Sequence, residues 1–322
     1  MNRVRRLLVL ALALASTIAR AQQAARIAWV GSRAERDMAV ELAAFKQGMR
    51  ENGLVEGRDY VMDTRWAEGR YERFPAMVDD LLSRKPAVMM VNTIASVRVA
   101  QQATKTVPLV MMSTNDPVGV GLIASLARPG GNTTGTTNLT DDTIPKLLEF
   151  LHLLLPKATR VAVLLNPGNS SHAKFLGELR AAAGPHGIAL QAIELKSVDE
   201  VDAVFGALAR QQLEALIELP DAMLGSLRSR IAALTLQQRL PRITADADRV
   251  ETGALLSYGP SRPEIYRRSA SYVKKILDGA KPGELPVEQP TLLELVINLK
   301  TANALGIAIP RSLRLRADRV IE

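Results

Sequence analysis

The chain has 322 residues, 41 lysines and arginines against 33 aspartates and glutamates, a formal charge of +8, and no cysteine. Aromatics make up 4% and the charges are scattered, so neither a stacking platform nor a basic stripe for nucleic acid is present. Without disulfides the fold rests on its apolar core, for which this length is ample.

The opening MNRVRRLLVLALALASTIARAQQ has a basic start (Arg3, Arg5, Arg6), an apolar run from Leu7 to Ser16, and the small-residue site Ala19-Arg20-Ala21. That is the layout of a secretory signal peptide, residues 1–21, cleaved near Ala21 so that the mature chain begins at Gln22. The run is too short to span a bilayer. A buried N-terminal helix is the competing reading, but one that opens with three arginines and has no polar face fits it poorly. Arg5-Arg6 leaves general and twin-arginine export both open. Loss of the segment removes four arginines and halves the charge excess. No cysteine is available for lipidation, so the expectation is a freely diffusing periplasmic protein, not membrane-anchored, and a monomer.

Beyond Gln22, short β-branched runs alternate with longer amphipathic ones. RIAWV (26–30) reads as a strand, 37–52 as a helix, YVMDTRW (60–66) as a strand and 71–83 as a helix. AVMMVN (87–92) is a strand, 94–105 a helix, and VPLVMM (107–112) and NTTGTTN (132–138) are strands. A second set follows: helix 143–155, strand RVAVLLN (160–166), helix 170–186, strand IALQAIEL (188–195) and helix 199–210. EALIEL (214–219), a helix over 221–239, PRITA (241–245) and ALLSYG (254–259) complete it. This alternation predicts α/β architecture, with parallel sheets covered on both faces, and two similar sets predict two lobes.

Gly119-Val120-Gly121-Leu122-Ile123-Ala124 fits the dinucleotide fingerprint G-x-G-x-x-G/A, with Asp141 and Asp142 at about the ribose-binding distance. The first glycine of that motif belongs directly after its strand, whereas STNDPV separates Gly119 from Met112, and an exported chain meets little NAD. No cofactor is expected.

The strand ends are more informative. VMMVNTIAS, VPLVMMSTNDP, VAVLLNPGNSS and LIELPDAM each carry an apolar strand into a polar turn that opens a helix. Asp116-Pro117 reads as an N-cap with proline at the first helical position, and Ser261-Arg262-Pro263-Glu264 as a capping box. Such turns serve helix capping alone or, where several face one cleft, binding of a carboxylate or phosphate at free helix-start N–H groups. Catalytic constellations are scarce: His152, His172 and His186 lack metal-ligand spacing, and no G-x-S-x-G elbow or cysteine nucleophile occurs. Asp79-Asp80 and Asp141-Asp142 read as solvated faces or caps. The chemistry indicated is binding.

Several long segments resemble one family, the exported solute-binding proteins of ABC transporters that include tryptophan-binding members. They are FKQGMRENGLVEGRDY (45–60), RWAEGRYERFP (65–75), NDPVGVGLIASLARPGGNTTG (115–135), RVAVLLNPGNSSH (160–172), SYGPS (257–261) and 272–310, spanning nearly all of the mature chain. The resemblance implies a type I periplasmic-binding-protein-like fold: two doubly wound parallel-sheet lobes joined by a multi-crossing hinge, with a ligand cleft between them. Lobe one would be 22–138 plus 261–288, and lobe two 139–260 plus 289–322. Asp116, Pro117, Gly119 and Gly121 would shape a cleft turn, and Pro129-Gly130-Gly131 would lead toward a hinge near Asn138.

The function implied is capture of a small organic ligand by lobe closure, followed by delivery to an ABC permease with its ATPase. The candidate ligand-binding residues are Ser32, Thr93, Ser96, Ser113, Thr114, Asn115 and Asp116 from lobe one. Asn166, Asn169, Ser170, Asp221 and Tyr258 are those from lobe two. Hydroxyls and helix-start N–H groups would take a carboxylate, and Asp116 or Asp221 an amine. Ligand identity stays open. Trp66 and Tyr71 would stack on a flat ligand or pack the core or hinge, and Arg33 and Arg36 would meet an anion or face water. An exported sensing module that reports to a membrane receptor is the alternative. A secreted enzyme stands third, and an intracellular repressor is excluded by the signal peptide and the missing DNA-reading helix.

Overall fold

The computed structural model describes residues 24–138 and 140–322, without the side chains of 140–142. The segment read as a signal peptide and the side chains of Asp141 and Asp142 therefore lie outside the described residues.

The first sheet holds β1 (Ala25–Gly31), β2 (Tyr60–Trp66), β3 (Val88–Val91), β4 (Leu109–Asn115) and β5 (Thr133–Asn138). All four pairings are parallel, in the order β2-β1-β3-β4-β5. Helices α1 (Ala39–Glu51), α2 (Phe74–Ser83) and α3 (Ile94–Ala103) follow β1, β2 and β3. Alternate residues of β1 serve opposite faces: Ile27 and Trp29 pack with Phe45 and Met49 of α1, and Ala28 and Val30 with Phe74 and Val78 of α2. Burial on both faces is why these strands are continuous apolar runs.

The second half opens with α4 (Thr140–Leu154), β6 (Arg160–Leu165), α5 (His172–Ala183), β7 (Ala189–Glu194), α6 (Val201–Leu208) and β8 (Ala215–Glu218). It continues with α7 (Ala222–Ser226), α8 (Arg228–Gln237), β9 (Arg242–Thr244), α9 (Ala247–Glu251) and β10 (Leu256–Pro260). Then come α10 (Arg262–Leu277), β11 (Leu293–Asn298), α11 (Leu299–Leu305), α12 (Arg311–Arg316) and β12 (Arg319–Ile321). The second sheet runs β12-β11-β10-β9-β8-β6-β7. From β7 to β10 it repeats the order and parallel sense of the first sheet, and β11 then adds antiparallel to β10.

Between these sheets, α10 returns to the first lobe. It packs along α1 and β4, burying Tyr266, Ala270 and Val273 in the cluster that holds Trp29 and Phe45. The chain therefore passes between the lobes three times, after β5, after β10 and before β11. The first and third passages are tied together: Thr137 N–H donates to the Glu288 carbonyl (2.9 Å) and Glu288 N–H to the Gly135 carbonyl (3.0 Å).

Four local expectations fail. No helix opens at Asp116-Pro117, where the stretch between β4 and β5 forms turns instead. β4 continues to Asn115 rather than ending at Met112. The helix read over 221–239 is two, because α7 ends at Gly225-Ser226, weak helix formers, where the Ser226 hydroxyl donates to the Met223 carbonyl at 2.7 Å. No capping box forms at 261–264: the Ser261 side chain makes no cap bond, and Glu264 is held by Arg267 at 2.8 Å. The capping box in this lobe sits at Thr93, whose hydroxyl takes the Ser96 N–H (3.0 Å) while Ser96 Oγ takes the Thr93 N–H (3.1 Å).

Candidate ligand cavity

A sheet ordered 2-1-3-4-5 has its topological switch point between strands 1 and 3, where the following connections diverge to opposite faces and leave a crevice. In the first lobe that point lies between the ends of β1 and β3, at Ser32, Arg33, Asn92 and Thr93. In the second it lies between the ends of β6 and β8, at Asn166 and Pro220-Asp221. The two crevices face one another and enclose a cavity of about 40 Å³.

From the first lobe its wall comprises Ser32, Arg33, Tyr71, Asn92, Thr93, Ile94, Ser113, Thr114, Asn115 and Asn138, with Arg262 from α10. The second lobe contributes Asn169, Pro220, Asp221, Ala222 and Arg249. A β-bulge aims part of this wall: the β4–β5 register shifts between Met111 and Thr114, and Ser113 has a left-handed φ of 57°. Such a bulge at a strand end re-aims side chains that a regular pleat would send elsewhere. Four wall atoms are buried without a hydrogen-bond partner among the described residues: Asn92 Oδ1, Ser113 Oγ, Thr114 Oγ1 and Asn138 Oδ1. The Asn92 amide is oriented by its nitrogen, which donates to the Tyr266 hydroxyl at 3.1 Å and leaves the oxygen for the cavity. At the start of α3 the Thr93 hydroxyl satisfies Ser96 N–H, leaving the Ile94 and Ala95 N–H groups without an acceptor inside the helix.

Asp221 organises the opposite wall. Its Oδ1 caps α7 through Met223 N–H (2.8 Å) and Leu224 N–H (3.1 Å), and its Oδ2 accepts from Asn169 Nδ2 and the Tyr71 hydroxyl, both at 3.0 Å. Asn166 Nδ2 also donates to it at 3.3 Å. Tyr71 reaches Asp221 from the other lobe; burial, reinforced by that carboxylate, raises the phenol pKa well above 10.0. Beneath this wall His172 Nδ1 accepts the Asn166 N–H at 3.0 Å, so its Nε2–H donates to the Pro220 carbonyl at 3.2 Å. Burial lowers the His172 pKa from 6.5, with the Asp221 charge opposing. The neutral ring thus ties the two second-lobe turns together.

The cavity floor is ionic. Glu218 binds Arg242 Nη1 (2.7 Å) and Arg249 Nε (3.0 Å), and Asp248 binds Arg249 Nη1 (2.7 Å) and, across the lobes, Arg33 Nη1 (2.6 Å). Glu41 pairs with Arg33 and Arg262, and Arg262 also reaches Asp246 at 3.6 Å. Burial opposes ionisation of Asp248, but the Arg249, Arg33 and Arg262 guanidiniums outweigh it and hold the carboxyl well below 3.8. On the far side of this layer lies a wider groove of about 640 Å³, where Arg228 pairs with Asp37 at 2.8 Å and Arg319 with Glu251 at 2.6 Å.

Of the residues singled out from sequence, Ser32, Thr93, Ser113, Thr114, Asn115, Asn169 and Asp221 line the cavity. Asn166 is buried behind them on Asp221, and Ser96 is spent in the capping box. Three lie elsewhere. Ser170 is exposed on the turn before α5. Tyr258 packs against Phe150, ring centroids 5.1 Å apart, in the second-lobe core, because its alternate position on β10 points it to the sheet face under α4. Asp116 takes the Gly119 N–H (2.9 Å) and the Lys174 ammonium across the lobes (3.0 Å). Gly119 is glycine because a Cβ there would stand 2.2 Å from Asp116 Oδ2. The fingerprint-like glycines therefore shape a carboxylate-capped turn. Trp66 packs at the first-lobe core beside Trp29, and Tyr71, one of the two uses weighed for it, faces the cavity. Asn92, Asn138, Arg249 and Arg262 were missed: the first two are single asparagines at strand ends, and the arginines are brought in from distant helices with no local signal.

The family model described as ABC transporter substrate binding protein matches residues 35–321. A tyrosine-binding protein of Clostridioides difficile is 24% identical over 276 residues, 86% of this chain and 78% of the relative. A Streptococcus pneumonia ABC domain solved in complex with L-Trp superposes with a TM-score of 0.85 at 22% identity, covering 93% of this chain and all of that one. A ligand-free, open substrate-binding protein with adhesive properties from Clostridium difficile gives a TM-score of 0.65 at 22% identity, over 92% and 99% of the two chains. Among the described residues no helix is long and apolar enough to cross a membrane. These are ligand-binding transport proteins rather than enzymes, and a match over this much of the sequence is decisive: the chain belongs to the family of ABC transporter substrate-binding proteins.

Proposed function

We propose that the protein is exported, captures a small molecule bearing a carboxylate and an ammonium group between its lobes, and delivers it to an ABC permease driven by its ATPase. The observation that carries this reading is the set of unpartnered buried atoms at the two facing switch points. Buried polar groups without partners are costly, and a ligand matching them recovers that cost on binding. The Ser113 and Thr114 hydroxyls and the free α3 N–H groups suit a carboxylate. The Asn92 and Asn138 carbonyl oxygens suit an ammonium, with Asp221 adding negative charge nearby. At equal identity, the higher TM-score to the L-Trp complex than to the ligand-free open structure supports capture by closure. The signal-peptide reading of residues 1–21 supports export.

A thermal-shift screen of the chain from Gln22 onward against amino acids, organic acids, sugars and nucleosides tests this. A ligand at a hundred times its Kd adds about 2.7 kcal/mol to the folded state. The expected result is a raised melting temperature for an amino acid, recovered unchanged; stabilisation only by sugars or nucleosides would refute the carboxylate–ammonium assignment.

A further inference from the structure

Resting on that capture reading, we propose that the ligand is a small, uncharged α-amino acid with a hydrogen-bond-accepting side chain, of the size of serine, threonine or asparagine, and not an aromatic one. Size is the first argument. The cavity is small, about 40 Å³ against about 640 Å³ for the groove beyond the ionic floor. A tyrosine or tryptophan side chain brings roughly 150–250 Å² of surface to be buried. The wall offers little for it: Ile94, Pro220, Ala222 and the ring of Tyr71. Tyr71 itself is the second argument. It is the protein's own phenol at the cavity, fixed by its 3.0 Å bond to Asp221 and by packing on Phe74 at 5.2 Å between centroids.

Polarity gives the third. The wall includes Arg33, which is 1% exposed and whose Nε–H has no acceptor among the described residues. An acceptor on the ligand side chain completes it, whereas an apolar side chain leaves it unsatisfied. Charge then separates neutral from acidic side chains. Arg33, Arg242, Arg249 and Arg262 stand against Glu41, Glu218, Asp246, Asp248 and Asp221, four guanidiniums to five carboxylates. Each of the four guanidiniums is already paired with a carboxylate of this layer, and the carboxylate on the wall itself, Asp221, disfavours an acidic side chain.

The test is isothermal titration of the chain from Gln22 onward with L-serine, L-threonine, L-asparagine, L-aspartate, L-tyrosine and L-tryptophan. We expect one of the first three to bind at least 100-fold more tightly than either aromatic and at least 10-fold more tightly than L-aspartate. Tighter binding of L-tyrosine or L-tryptophan overturns the inference and leaves the capture reading standing. Silence of the whole panel, together with a thermal-shift hit from another class, overturns both the inference and the amino-acid assignment. As an independent check, the variant Tyr71→Ala removes the ring that limits the cavity. It is expected to raise affinity for L-tyrosine by at least 10-fold; unchanged affinity removes Tyr71 as the size-limiting wall.

Discussion

Glu218→Gln tests the ionic floor most directly. Glu218 is 1% exposed and is the only carboxylate bonded to Arg242 among the described residues; Arg242 otherwise donates to the Arg249 carbonyl at a long 3.4 Å. Burial pushes the Arg242 pKa below the ordinary arginine value, and the charge of Glu218 opposes that shift. Glutamine keeps the shape but not the charge, and it turns an N–H group toward one of two guanidiniums. Breaking a buried pair by removing one member costs about 3–5 kcal/mol. At about 2 °C per kcal/mol, the lower end for large domains, the melting temperature should fall by about 6–10 °C. The control is Glu251→Gln, whose partner Arg319 and own side chain are 47% and 48% exposed. That pair should move the transition by no more than about 2 °C, since exposed ion pairs contribute about 0–1 kcal/mol. Circular dichroism melts of both variants decide the matter. A Glu218→Gln transition within about 2 °C of the parent would refute the argument that this network stabilises the second lobe.

Three further outcomes are expected. Gly48→Ala should destabilise although glycine-to-alanine inside a helix normally gains about 1 kcal/mol, because a Cβ there would lie 2.0 Å from the Arg267 carbonyl and push α10 off α1; a higher melting temperature would show the helices yield freely. The His172 pKa is depressed in the folded chain, so the unfolded chain takes up the proton first and stability must fall as pH drops below about 6.5. His172→Gln should lose less stability than the parent between pH 7 and 5, and equal losses would rule His172 out. Asp248→Asn should loosen the Arg33 crossing and raise the radius of gyration in small-angle scattering, with superimposable curves counting against a closure role.

The alternation of apolar runs and helices made the architecture legible, since strands buried on both faces have no polar positions to disguise them. Part of the cavity was legible too, in the polar turns that end β3, β6 and β8 and open helices; the turn after β1 carried no such signal, and β4 runs into turns rather than a helix. What could not be read was the arrangement of side chains within a turn. Thr93 and Ser96 are three residues apart, yet one lines the cavity while the other completes the helix cap. The bulge at Ser113 comes from pairing with β5, which local sequence does not encode. Arg249 and Arg262 belong to helices far along the chain, and only the fold assembles them beside Arg33.

The return of α10 to the first lobe also sets an order of assembly. Its contact with α1 joins residues more than two hundred positions apart, so closing that loop carries a large entropic cost until intervening chain has condensed. The strands β6 to β10 lie within one continuous stretch and can pair early. The first lobe, by contrast, lacks one side of its core until residues 262–277 have been made, leaving Trp29, Phe45 and Met49 uncovered. A nascent chain halted before residue 262 should therefore keep one face of its earliest sheet uncovered, available to chaperones long after its strands have been synthesised.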